Sequence, residues 1–173
     1  TQIGFYRAEA RFLRALSYWH AMDHFGNVPF VTENDIVGAF FPQQISRADL
    51  FTYVESELKA IEGSLVAPRA NDYGRAAAWT LLAKVYLNAQ VYTGTARNAD
   101  CVTYCEKVIN AGYTLDDSYE EMFLADNNTS PEFIFSVAFD GLKTQTWGGT
   151  TFIVHAPVGG SMLPADFGID GGW

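Results

Sequence analysis

The sequence predicts a mainly α-helical fold of stacked helix pairs, followed by a small β element and long loops. Two observations carry this. Apolar residues recur at three- and four-residue spacing through four long segments of the first two-thirds. After Asn128 the pattern changes to alternation and then to Gly- and Pro-rich sequence. The length of 173 residues suits one domain, with residues 1–126 as helical scaffold and 127–173 as strands and loops.

The first helix is expected over 4–25, where Phe5, Ala8, Phe12, Ala15, Leu16, Trp19 and Met22 share a face. Gly26 offers its stop and Pro29 follows, so 30–45 reads as a loop carrying Phe40, Phe41 and Pro42. Ser46 opens the second helix, with Asp49 completing an approximate capping box, and Phe51, Val54, Leu58 and Ile61 line its apolar side. The third helix is expected over 75–91 and the fourth over 100–110, with Gly112 as a left-handed cap. A short fifth helix is expected from Asp117. Phe133, Phe135, Val137 and Phe139 alternate as in a strand, and 150–155 reads as a second one. The remainder, 157–173, reads as loop.

The third and fourth helices carry a repeat pattern. Trp79, Leu82, Ala83 and Tyr86 fit the first helix of a tetratricopeptide pair, with Ala83 in place of glycine, and Cys101, Tyr104, Cys105 and Val108 fit the second loosely. Trp79, Leu82 and Tyr86 are therefore expected between helices. The spacing between the two helices exceeds the standard repeat, so a longer turn is implied. Such pairs bury their faces only by stacking, and the first two helices are the expected partner.

Composition narrows the function. The chain is 49% hydrophobic and 18% charged, which is globular. A net charge of −9 without a basic stripe excludes nucleic acid and disfavours anionic membranes, but costs a neutral ligand nothing. An aromatic share of 15% exceeds what a core of this size needs, leaving rings for stacking on a ligand. Cys101 and Cys105 sit four apart on one helix face, a poor disulfide geometry, and read as small apolar residues.

Several phrases, taken together and in this order, resemble the SusD/RagB family. They are Ala-Glu-Ala-Arg-Phe-Leu-Arg-Ala at 8–15 with Tyr18 and Trp19, and Phe-Gly-Asn-Val-Pro at 25–29. Gly-Arg-Ala follows at 74–76, Leu-Leu-Ala-Lys-Val-Tyr-Leu at 81–87, and Glu-Phe-Ile-Phe at 132–135. Arg75 runs directly into three alanines, a local departure from the family pattern. The resemblance implies a tetratricopeptide-like scaffold and a non-catalytic outer-membrane lipoprotein of Bacteroidetes. Such a protein captures glycan or peptide for a SusC-like TonB-dependent transporter. It further implies an internal segment of a longer chain, with its lipid-bearing cysteine and part of the ligand site outside these residues. No cofactor is expected; any calcium site would likewise draw on residues outside the segment.

The chemistry-bearing residues agree with binding rather than catalysis. His20, Asp23 and His24 lack the glutamate of a zinc-protease helix, because Ala21 follows His20. Asp166-Phe167-Gly168 has no accompanying phosphate loop, and Asp166 with Asp170 is an incomplete calcium series. No acidic pair is singled out for glycoside hydrolysis and no nucleophile phrase appears. The most informative stretch is 141–151. There Trp147 sits in a Gly/Thr-rich loop with Thr144, Gln145 and Thr146, an indole face beside amide and hydroxyl groups. The expected glycan contacts are Trp147, Gln145 and Thr146, with Tyr119 and Asn127 as companions. The alternative is a helical scaffold that holds a protein or peptide partner.

Overall fold

The computed structural model describes residues 2–36, 38, 40–68, 74–124, 127–137, 142–144 and 150–169. Contacts divide the chain into two units, residues 1–136 and 137–173. The first unit holds α1 (Gln2–Phe25), β1 (Val28–Pro29), β2 (Gln44–Ile45), α2 (Arg47–Ile61), α3 (Arg75–Leu87), α4 (Ala89–Thr93) and α5 (Asn98–Ile109). The second holds α6 (Thr150–His155) and a 3-10 turn over Pro164–Phe167.

Helices pack as two pairs, α1 on α2 and α3 on α5, joined through α2. Their apolar faces meet in one core. Phe12, Met22, Leu50, Leu58, Leu82 and Tyr86 are each at most 2% exposed, and burial of such side chains supplies about 1.5–3 kcal/mol each. Ala76, Ala77 and Ala78 are all buried, so the alanine run lets the start of α3 approach its neighbours closely. The α3–α5 turn is long, as the repeat spacing implies. Asn88 ends α3, α4 adds one turn, and Gly94 closes it in the left-handed region at φ +81°.

Ser46 caps α2 as expected: its Oγ accepts from Asp49 N at 3.1 Å and donates to the Asp49 carboxylate at 2.6 Å. Asp49 therefore bonds the cap hydroxyl, a shorter reach than the backbone bond of a full capping box.

Gly26 ends α1 at φ +74°, and the Arg47 guanidinium lies where a Cβ would go, 2.8 Å away. Asn27 Oδ1 meanwhile accepts from Arg47 N at 2.9 Å. Gly26→Ala is therefore expected to cost about 1–2 kcal/mol, the penalty of a left-handed non-glycine residue, and to displace Arg47. An unchanged thermal midpoint would contradict this reading of the turn.

Six expectations are corrected. The β pairing lies in the segment read as loop: Val28 pairs with Ile45 and Pro29 with Gln44, antiparallel. Its short length escaped a periodicity test that needs several alternating residues. Residues 150–155 form a helix, with Ala156 N bonded to Phe152 O at 2.8 Å. Residues 133–137 join no ladder; 138–140 lie outside the described residues. Alternation reports side-chain facing, whereas a strand also needs a neighbour to take its backbone bonds. Phe135 instead packs edge-on against Phe12 at 5.3 Å. The segment expected to open a fifth helix at Asp117 forms a single 3-10 turn over Glu120–Phe123. Finally, Trp79 is half-buried rather than enclosed, and Cys105 is exposed on α5.

Candidate functional site

The recognisable phrases of the sequence turn out to be joints. Arg11 and Arg14 of α1 both reach Glu57 of α2, Arg11 through both of its carboxylate oxygens at 2.9 and 2.7 Å, and Arg14 at 2.9 Å. Arg14 also pairs with Glu33. The hydrogen bonds from Arg11, and behind them those from Arg14, hold the Glu57 carboxyl below the ordinary glutamate range despite its burial. Tyr18 Oη donates to Val31 O at 2.7 Å and accepts from Val31 N at 2.8 Å, fixing the exit of β1. Glu55 takes Lys59 at 2.8 Å, Arg97 at 3.1 Å and the Tyr86 hydroxyl at 2.7 Å. Glu62 takes Trp79 Nε1 at 3.2 Å. Two glutamates of α2 and Glu62 at its C-cap thus clasp α1, α3 and the α5 side. Glu132 accepts from Asp116 N at 3.1 Å, which gives that phrase a structural role too.

The residues expected to contact glycan fall unevenly. Gln145, Thr146 and Trp147 lie outside the described residues; Thr144, just before them, is exposed. Tyr119 presents its ring at 72% exposure and packs against Phe123 at 5.1 Å. Asn127 lies in the 3-10 turn that follows, over Asn127–Thr129, and donates its side-chain amide to Met122 O at 2.9 Å. Tyr119 and Asn127 therefore belong to neighbouring turns, one offering a ring and the other holding the backbone. His20 and His24 stack with parallel rings 6.2 Å apart on α1. Among the described residues no three His, Cys, Asp or Glu side chains are grouped to hold a metal ion.

Two surface clefts add what the sequence reading missed. One, of about 530 Å³, lies between α3 and α5 and is lined by Trp79, Thr103, Glu106, Lys107 and Asn110. Its aromatic wall is occupied: Lys107 Nζ lies 5.6 Å from the Trp79 ring centre and 4.2 Å from that of Tyr104. The other, of about 550 Å³, lies beside the β1–β2 ladder and includes Phe30, Phe40, Phe41 and Gln43. There Phe41 is 95% exposed. The signal for it in the sequence was Phe-Phe-Pro-Gln-Gln in a loop, two rings and two amides with no periodic face to bury.

No family model matches the sequence. The chain is 43% identical, over 157 residues, to the starch-binding protein SusD of Bacteroides thetaiotaomicron, covering 86% of this chain and 28% of that protein. The chain is SusD-like. A SusD-like protein of Bacteroides ovatus is 29% identical over 140 residues, covering 75% of this SusD-like chain and 25% of its own length. Among solved structures, a SusD-like carbohydrate-binding protein from Bacteroides fragilis superposes with a TM-score of 0.72 at 25% identity, over 94% of this chain and 30% of that one. Surface glycan-binding protein A of Bacteroides uniformis superposes with a TM-score of 0.63 at 22% identity, over 78% and 31%. The SusD-like chain thus spans less than a third of each of these relatives.

Proposed function

We propose that this protein binds a glycan at the outer face of the outer membrane, without chemically altering it, and hands it to a SusC-like TonB-dependent transporter. The observation that carries the reading is the 43% identity to a protein named as starch-binding, extending over 86% of this chain. It makes a starch-type α-glucan the first ligand to try. The acidic balance of the chain supports a neutral ligand. Membrane attachment in this reading is through a lipid; among the described residues no helix is long and apolar enough to cross a bilayer.

Binding would come from rings stacked on sugar C–H faces and from amides and hydroxyls on the sugar rim. Trp147 is the proposed platform, with Gln145 and Thr146 beside it, because Gly148 and Gly149 let the backbone bend and present the indole. The exposed Tyr119 ring is the proposed companion surface, and Asn127 braces the turn behind it. One stacked aromatic contributes about 1–3 kcal/mol, by analogy with base stacking. Trp147→Ala is therefore expected to weaken maltoheptaose binding by about tenfold or more, with circular dichroism unchanged. Calorimetry of mutant and wild type checks this, and equal affinity in a folded mutant removes Trp147 from the site.

A further inference from the structure

We propose that the cleft beside the β1–β2 ladder is a second glycan subsite, selective for neutral over acidic sugars. The subsite rests on the glycan-binding reading above. Its volume of about 550 Å³ falls within the range of small-ligand sites, roughly 300–1,000 Å³. Its wall is held in place. The Phe30 ring is packed by Tyr18 at 5.2 Å and Tyr53 at 4.7 Å, and Phe30 N bonds Gln43 O at 3.0 Å, extending the ladder by one bond.

On that wall the lining residue Phe41 is almost wholly bare, at 95% exposure, with Phe40 beside it. An isolated exposed phenyl is unremarkable on a protein surface; here it borders a concave site together with the exposed Gln43 carboxamide. The Gln43 side chain makes no hydrogen bond to another described residue, so both its donors and its acceptor are available. This combination, a ring face beside a carboxamide, suits a sugar with one apolar face and a hydroxyl rim. The Trp79 cleft lacks it, because Lys107 already covers the rings there.

Charge sets the class of sugar. Among the described residues, the charged ones lining the cleft are Asp35 and Asp49, with neither lysine nor arginine beside them. Asp35 Oδ2 accepts from Thr32 N at 2.7 Å and Asp49 Oδ2 from Ser46 Oγ at 2.6 Å. These bonds keep the carboxylates in place as acceptors for sugar hydroxyls. A uronate or sulfated sugar would bring a further negative charge beside these two, with no lysine or arginine among the described lining residues to offset it.

The test is hydrogen–deuterium exchange across 40–46, with calorimetry in parallel, using maltoheptaose and a tri- to heptameric oligogalacturonate as probes. Maltoheptaose is expected to slow exchange at 40–46 in the wild type at least threefold, and oligogalacturonate is expected to leave it unchanged. Phe41→Ala and Gln43→Ala should each abolish the protection while melting as the wild type does, since both side chains are exposed. Calorimetric binding of maltoheptaose with no protection at 40–46 overturns the subsite and leaves the proposed function standing. Protection that survives in both variants also overturns it, and equal protection by oligogalacturonate overturns its selectivity. Neither heat nor protection overturns the subsite and the starch-type reading together.

Discussion

Tyr86→Ala is expected to destabilise the helical unit by about 3–5 kcal/mol, the cost of truncating a large, fully buried aromatic. Tyr86 is 0% exposed and sits where three elements meet. Its ring contacts Tyr104 of α5 at 5.6 Å and Phe51 of α2 at 6.5 Å, and the Arg97 guanidinium lies 4.9 Å from its centre. Its hydroxyl donates to Glu55 at 2.7 Å. Burial, and then the bond to Glu55, push the hydroxyl's pKa well above the ordinary tyrosine range, so it stays a donor at any working pH. Tyr86→Phe keeps the ring and loses only that bond, at about 1–1.5 kcal/mol. Glu55 retains Lys59 and Arg97, which limits the damage. Chemical denaturation of the two variants separates the contributions. A loss below about 1 kcal/mol for Tyr86→Ala would mean that α3 and α5 do not pack as described.

The second large effect is expected at Glu57. Its side chain is only 14% exposed and satisfies two arginines of α1. Glu57→Ala leaves both guanidinium groups short of a partner at a half-buried joint, an expected loss of about 2–3 kcal/mol. The effect is pH-dependent, with a definite sign. The folded-state pKa of Glu57 is depressed below its ordinary value of 4.5. Its contribution is therefore complete above that value and disappears as pH falls through the depressed one. Glu55 behaves the same way: burial raises its pKa, but the bonds from Lys59 and Tyr86 outweigh this and lower it. The gap between wild type and Glu57→Ala should be full at about pH 7 and narrow towards about pH 3. A gap that widens in acid contradicts the joint.

The helical part was legible because its signals are local and redundant. Ser46 with Asp49 marks a helix start, Gly26 and Gly112 mark ends in the left-handed region, and both glycines adopt positive φ. The apolar faces of α1 and α2 repeat often enough to outvote any single residue. The phrases that identify the family were legible for another reason: Arg11, Arg14, Tyr18, Gly26 and Asn27 each make a joint that few other residue types replace. They speak to the scaffold and not to the ligand. The tail was misread because strand formation depends on a neighbour, which alternation at 133–139 and β-branched residues at 150–155 cannot supply. Trp79 was misplaced by the repeat pattern. The pattern gives the side of the helix correctly, but the indole reaches past the α3–α5 seam to bond Glu62 and carry Lys107. For binding, Trp147 stood out as an indole without a periodic face. Phe41 passed as an ordinary loop residue, because its exposure follows from the ladder that holds its segment.

The central claim is binding without cleavage, and one measurement addresses it directly. The intact protein is passed over a starch matrix, the bound fraction is eluted with maltoheptaose, and the eluate and matrix are assayed for new reducing ends. Retention with no new reducing ends is the predicted result. Passage through the matrix unretained contradicts glycan capture of the starch type, and new reducing ends that rise in proportion to protein contradict a non-catalytic role.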